Sequence, residues 1–208
     1  MKHFQGIDIY ETLPEIVAPA HSALVVWDVQ AGLIGRIHDK DSYLSKLGPF
    51  IKALRVRMPV IYTLITPLPD AFRGPWAIYN QMRRMGVDDP SKLRPFLQPG
   101  SREREVPSEV APQEGDWVLD KTSASLFVGT PVEATLRSRG VQTLLFAGIA
   151  TDAGVETSAR HASALGFYPV VVREGCSSMT REAHERSLAS LAGQVIVASM
   201  EEIRQALG

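Results

Sequence analysis

One cysteine in 208 residues, Cys176, excludes an internal disulfide framework and any metal site built on cysteine pairs. The five histidines, at positions 3, 21, 38, 161 and 184, are scattered without metal-ligand spacing, so no metal is expected. Excess charge is missing too: 22 Lys and Arg against 23 Asp and Glu leave a formal net charge of −1, which offers no field for nucleic acid or an anionic membrane. No apolar run reaches the roughly 18 residues of a membrane span. The start, Met1-Lys2-His3-Phe4-Gln5-Gly6-Ile7-Asp8, lacks the apolar stretch of a secretory signal, and a cytoplasmic protein is the expectation. Neither a GxGxxG after a strand nor a Walker loop occurs, so no nucleotide cofactor is expected. GxSxG is absent, which removes the serine elbow of α/β-hydrolases.

What is present is a 45% hydrophobic chain, long enough for one domain over residues 1–208 with 1–22 as an N-terminal arm. Short apolar runs recur: Ala23–Trp27, Val60–Ile65, Trp117–Leu119, Thr143–Ala147, Pro169–Val172 and Val195–Val197. They are near-continuous rather than alternating, the pattern of strands buried on both faces of a parallel sheet. Helical signals separate them. Thr130-Pro131-Val132-Glu133 predicts a helix capped by Thr130, with Leu136 inward and Gly140 closing it. Asp152 opens a small-residue helix to Leu165, ended by Gly166, and Thr180 opens another to Leu191, closed near Gly193. Ser199-Met200-Glu201-Glu202 is a capping box. The expected class is therefore α/β: a three-layer, doubly wound, six-stranded parallel sheet of Rossmann-like type. Pro14 and Pro19 argue against a long helix in the arm. Thr66 to Trp76 reads as a proline-rich loop, and Gln98 to Gly115, with Arg102-Glu103-Arg104-Glu105, as a charged, solvated connector.

Open parallel sheets bind ligands beyond the carboxyl ends of their strands. The polar residues that close these runs are Asp28 and Gln30 on the first, Asp120-Lys121 on the third and Thr151-Asp152 after the fourth. On strand geometry alone Asp28 is either a loop cap or an acid, and Lys121 either a surface lysine or its partner. Should they meet, Lys121 lowers the Asp28 pKa and desolvation raises it. Thr151-Asp152-Ala153-Gly154-Val155 sets small residues at a helix start, where free N–H groups favour negative charge and a substrate can approach the backbone. The alternative for these residues is close helix–sheet packing through Ala150, Ala153 and Gly154. Cys176 reads as a small buried thiol or, less simply, as a nucleophile.

These residues resemble the isochorismatase-like hydrolase superfamily, which includes cysteine amidohydrolases such as nicotinamidases. The resemblance rests on Val25-Val26-Trp27-Asp28-Val29-Gln30, on Lys121 followed by Ser125-Leu126-Phe127-Val128-Gly129-Thr130, and on Gly148-Ile149-Ala150-Thr151-Asp152-Ala153-Gly154-Val155-Glu156-Thr157-Ser158-Ala159-Arg160. It implies a hydrolase, the family's six-stranded doubly wound sheet, a small-molecule substrate and assembly as a homodimer or homotetramer. Where the family's amidohydrolases carry the catalytic cysteine, this chain has Gly154, as isochorismatases proper do, and a glycine offers no nucleophile. The resemblance thus carries over Asp28 as general acid and Lys121 as its partner, with Gly154 at the vacant position. Leu68-Pro69-Asp70-Ala71-Phe72-Arg73 lacks the histidines of the nicotinamidase metal cluster. A non-proline cis peptide is implied at Ile149–Ala150, with the Ala150 and Gly154 N–H groups facing one oxygen. Candidate substrate-binding residues are Gln30, Trp76, Phe127, Ala150 and Thr151. The alternatives are an amidohydrolase using Cys176 and a non-catalytic member that binds a small ligand.

Overall fold

The computed structural model describes residues 1–208. In chain order the elements are β1 (Lys2–Phe4), β2 (Ile7–Ile9), α1 (Leu13–Ile16), β3 (Ser22–Trp27), α2 (Ala31–Ile34), α3 (Lys40–Arg55), β4 (Val60–Ile65), α4 (Pro75–Met85), β5 (Trp117–Lys121), α5 (Val132–Ser138), β6 (Thr143–Ile149), α6 (Glu156–Ala164), β7 (Tyr168–Ser177), α7 (Arg181–Leu191), β8 (Ile196–Ala198) and α8 (Met200–Leu207).

The apolar runs pair into one six-stranded sheet, ordered β5-β4-β3-β6-β7-β8, every neighbour parallel. This is the doubly wound order expected from the alternation of strand and helix signals. Successive side chains of each strand point to opposite faces, and both faces are covered. Leu24 and Val26 of β3 enter the core with Tyr43, Leu47, Phe50 and Leu54 of α3 and Ile203 of α8. Ala23, Val25 and Trp27 enter the other core with Val132 and Leu136 of α5, Ala159 and Ala162 of α6 and Leu188 of α7. Winding reverses between β3 and β6, so the crevice of the sheet opens where these two strands end.

Several boundaries differ from the sequence expectation. α5 starts at Val132 with Pro131 as its cap; the Thr130 hydroxyl donates to Leu126 O and is 3.5 Å from Val132 N. A π-helical turn, Thr151–Val155, precedes α6, so the helix does not open in regular form at Asp152. The Thr180 cap and the Ser199–Glu202 capping box form as expected. The proline-rich loop gives way to α4 at Pro75, and the arm folds into the antiparallel pair β1–β2 followed by the four-residue α1. The charged connector packs as well as solvates: Glu105 O accepts from Ala31 N at 2.8 Å, tying it to α2. No helix is long and apolar enough to cross a membrane.

Candidate active site

Register brings four strand ends together. Trp27 of β3 lies beside Thr63 of β4 and Gly148 of β6, and Ile65 of β4 lies beside Lys121 of β5. Just past β3 the chain turns at Asp28, whose φ of +48° lies in the left-handed region, where aspartate is tolerated better than most residues. Thr63 holds Asp28 through both its hydroxyl and its carbonyl. Its hydroxyl donates to Asp28 Oδ1 at 2.8 Å, and its carbonyl accepts from the Asp28 N–H at 3.1 Å. The other carboxylate oxygen, Oδ2, accepts from Lys121 Nζ at 2.6 Å. Lys121 Nζ also donates to Ser123 O at 3.2 Å and sits 3.8 Å from the centroid of the Trp27 ring. Asp28 is 5% exposed and Lys121 3%.

Burial dominates the electrostatics of this pair. Desolvation pushes the Asp28 carboxyl up, against the Lys121 charge and the hydrogen bonds from Lys121 and Thr63 that pull it down. Desolvation pushes the Lys121 amine down, against Asp28, which holds it up. Burial thus opposes charge on both groups, and the 2.6 Å contact between them offsets part of that penalty. A carboxyl placed this way can give up a proton and have the resulting charge stabilised at once by the neighbouring amine and hydroxyl.

The opposite wall is the end of β6. The Ile149–Ala150 peptide is cis, at the position the resemblance implied. Gly148, at φ +142°, passes so close to β3 that a Cβ there would lie 2.1 Å from Trp27 O. At the following turn a Cβ on Gly154 would lie 2.1 Å from Trp27 Nε1, so the ring of Trp27 abuts the Gly154 backbone. Ser158 Oγ donates to Gly154 O at 2.7 Å and accepts from Leu126 N at 3.1 Å, which secures the turn against the segment after β5.

Asp28 and Lys121 therefore meet, and Gly154 joins them through Trp27. The substrate-binding candidates are placed differently. Gln30 is buried and its amide is spent on β4, accepting from Ile65 N at 2.9 Å and donating to Ile65 O at 3.2 Å. Thr151 is buried with its hydroxyl 2.8 Å from His184 Nδ1, in a polar network behind the corner that includes Ser187 and, 5.8 Å from the His184 ring, His38. Phe127 packs its ring against His161 and Phe167. Trp76 is 68% exposed on α4, beside Tyr79. Ala150 supplies the cis corner itself, and its carbonyl accepts from Ala153 N and Val155 N. No three His, Cys, Asp or Glu side chains are grouped to hold a metal ion. Sequence reasoning missed Thr63 and the role of Trp27. The one signal for Thr63 was a hydroxyl inside the otherwise apolar run Val60-Ile61-Tyr62-Thr63-Leu64-Ile65.

Comparison with known proteins agrees with this fold. Residues 22–202 match the isochorismatase domain. The chain belongs to the isochorismatase family. An uncharacterised isochorismatase-family protein of Escherichia coli O157:H7, YecD, is 30% identical over 191 residues, spanning 89% of this chain and 96% of that protein. The ureidoacrylate amidohydrolase RutB of Klebsiella pneumoniae (strain 342) is 31% identical over 181 residues, spanning 76% of this chain and 73% of the relative. The nicotinamidase PncA of Bacillus subtilis superimposes with a TM-score of 0.69 at 20% identity, covering 86% of this chain and 100% of that one, a likeness of fold. This chain is accordingly an isochorismatase-family hydrolase with an α/β fold.

Proposed function

We propose that the chain hydrolyses a small carboxylated or cyclic metabolite by acid catalysis from Asp28, with Lys121 as its electrostatic partner and no covalent intermediate. The observation that carries this reading is the 2.6 Å contact between Lys121 Nζ and Asp28 Oδ2 in a buried corner at the switch point of the sheet. Because burial raises the carboxyl, it retains its proton where a free aspartate has lost it. A positioned acid of this kind contributes about 10²–10⁴-fold to a rate. The proton passes from Asp28 to a vinyl-ether carbon, or to the leaving atom of a related C–O or C–N bond. In the vinyl-ether case water adds to the cationic carbon and returns one proton to the carboxylate. The hemiketal then collapses, its hydroxyl proton passing to the leaving oxygen as the C–O bond breaks. Where the leaving atom takes the proton, it departs first, and the water that adds to the carbon returns its proton to the carboxylate. Meanwhile the Asp28 charge is held by Lys121 and Thr63.

Relatives named as a ureidoacrylate amidohydrolase and a nicotinamidase support hydrolysis as the reaction type. Their family's thioester route needs a cysteine where this chain has Gly154, and a glycine supplies no nucleophile. Cys176 does not replace it. Burial pushes its thiol up to about 12, and the S–H points at Phe146 O, 3.4 Å away. A thiol in that state is inert. Iodoacetamide at neutral pH is expected to leave Cys176 of the folded protein unlabelled, as read by intact mass, and Cys176→Ser to keep wild-type turnover. Labelling with parallel loss of turnover would instead make the thiol a nucleophile.

Ligand binding without turnover is the second reading, favoured by the near-complete burial of Asp28 and Lys121. Mass spectrometry of a metabolite mixture incubated with wild type or Asp28→Asn separates the two. Acid catalysis predicts a metabolite consumed by wild type alone. A metabolite retained by both proteins and altered by neither selects the binding role.

A further inference from the structure

The room in front of Gly154 is already taken. A Cβ on Gly154 would stand 2.1 Å from Trp27 Nε1, 2.4 Å from Cε2 and 2.6 Å from Cζ2, separations that real Cβ atoms do not show. The ring has nowhere to retreat. Trp27 is 1% exposed and packed in the core that β3 shares with α5, α6 and α7. Its backbone is held as well, paired with Gly148 of β6 in the sheet, so close that a Cβ on Gly148 would meet Trp27 O at 2.1 Å. The same ring carries the Lys121 ammonium over its face, 3.8 Å from the centroid. A desolvated ammonium over an indole gains from the ring quadrupole, which offsets part of what burial takes away.

We propose that Trp27 stands in for a nucleophile's side chain: its indole fills the space at Gly154, closing the covalent route at this corner, and its ring face holds the Lys121 ammonium against Asp28. Trp27 is then a positioning residue, and the second half of this inference rests on the acid-catalysis reading given above. It follows that Trp27 and Gly154 are energetically coupled. A larger residue at 154 requires a smaller one at 27.

A double-mutant cycle on the full chain tests the coupling. Thermal midpoints are measured for wild type, Trp27→Leu, Gly154→Cys and the double variant, under reducing conditions. Each single change lowers the midpoint, the first by opening a cavity and the second by overpacking. The double variant is expected to melt about 5 °C or more above the sum of the two losses, as contacting residues do. Strict additivity would overturn the proposal. Should Trp27→Leu fail to fold, Trp27→Phe with Gly154→Ala gives a milder cycle with the same criterion.

The positioning role is read from the Asp28 carboxyl by carbon NMR titration, since Lys121 is the one charged group acting on it. In Trp27→Leu the ammonium loses its ring, and the Asp28 midpoint is expected to rise by about half a unit to one unit. Trp27→Phe, which keeps an aromatic face, is expected to titrate close to wild type. Equal midpoints for the leucine and phenylalanine variants would show that the ring does not hold the lysine. Neither measurement uses a substrate, so retained turnover in Asp28→Asn would sink the catalytic reading and leave this coupling standing or falling by itself.

Discussion

Asp28→Asn is expected to lower turnover of the metabolite by about 10²–10⁴-fold while leaving the far-ultraviolet circular dichroism of the protein unchanged. Asparagine keeps the size of the side chain and its place in the network. Its carbonyl oxygen accepts from Lys121 Nζ as Oδ2 does at 2.6 Å, and its amide faces the Thr63 hydroxyl that Oδ1 meets at 2.8 Å. What it cannot do is deliver a proton. Loss should therefore fall on kcat, with substrate affinity little changed, because the interaction removed operates in the transition state. In wild type the acid form of Asp28 is the active one, so kcat is expected to fall as pH rises through the raised Asp28 midpoint. A variant that turns over at the wild-type rate would take Asp28 out of the chemistry.

The parts of this molecule that were legible in sequence are those where one residue's neighbours along the chain decide its fate. Buried parallel strands need continuous apolar runs, and six such runs are the six strands. A polar residue closing such a run lands at the carboxyl edge, which is why Asp28 and Lys121 could be named together. α3 was hidden because Gly48-Pro49, a pair that ordinarily ends a helix, sits inside it. α4 had its local signals, Pro75 at its start and Gly86 at φ +64° after its end, but it buries no residue and gave no core-facing stripe to read. The hairpin of the arm turns at Gln5-Gly6, both at positive φ, between runs of three residues each, too short to register as strands. Within the site, the contacts that matter most cross between elements. Gly154 is small because of the indole on β3, and Asp28 is held by a hydroxyl on β4. Neither neighbour is near in sequence. Trp76 and Phe127 show the converse, since proximity to the right edge in sequence did not decide where their rings would pack.

Lys121→Met is expected to cost about 3–5 kcal/mol of stability at neutral pH, or a drop of about 10 °C in thermal midpoint for a chain of this size. Methionine replaces the stem of the lysine but leaves the Asp28 carboxylate buried with Thr63 as its remaining side-chain partner. The sign of the pH dependence follows from linkage. Without Lys121 the folded Asp28 holds its proton to a higher pH than the unfolded chain, whose carboxyl releases it near 3.8. The folded state thus binds the extra proton, and stability declines as pH rises from that value to the raised folded midpoint, then levels off. In acid, with the carboxyl protonated in both states, most of the deficit should vanish. The double variant Asp28→Asn/Lys121→Met removes the orphaned charge, and its midpoint at neutral pH is expected to recover most of the loss, because an intact buried pair and a well-packed neutral replacement are often close in energy. A lysine variant equally destabilised at every pH, and not rescued by Asp28→Asn, would place the cost in lost packing of the lysine stem on Trp27. The buried charge would then have no part in holding this corner together.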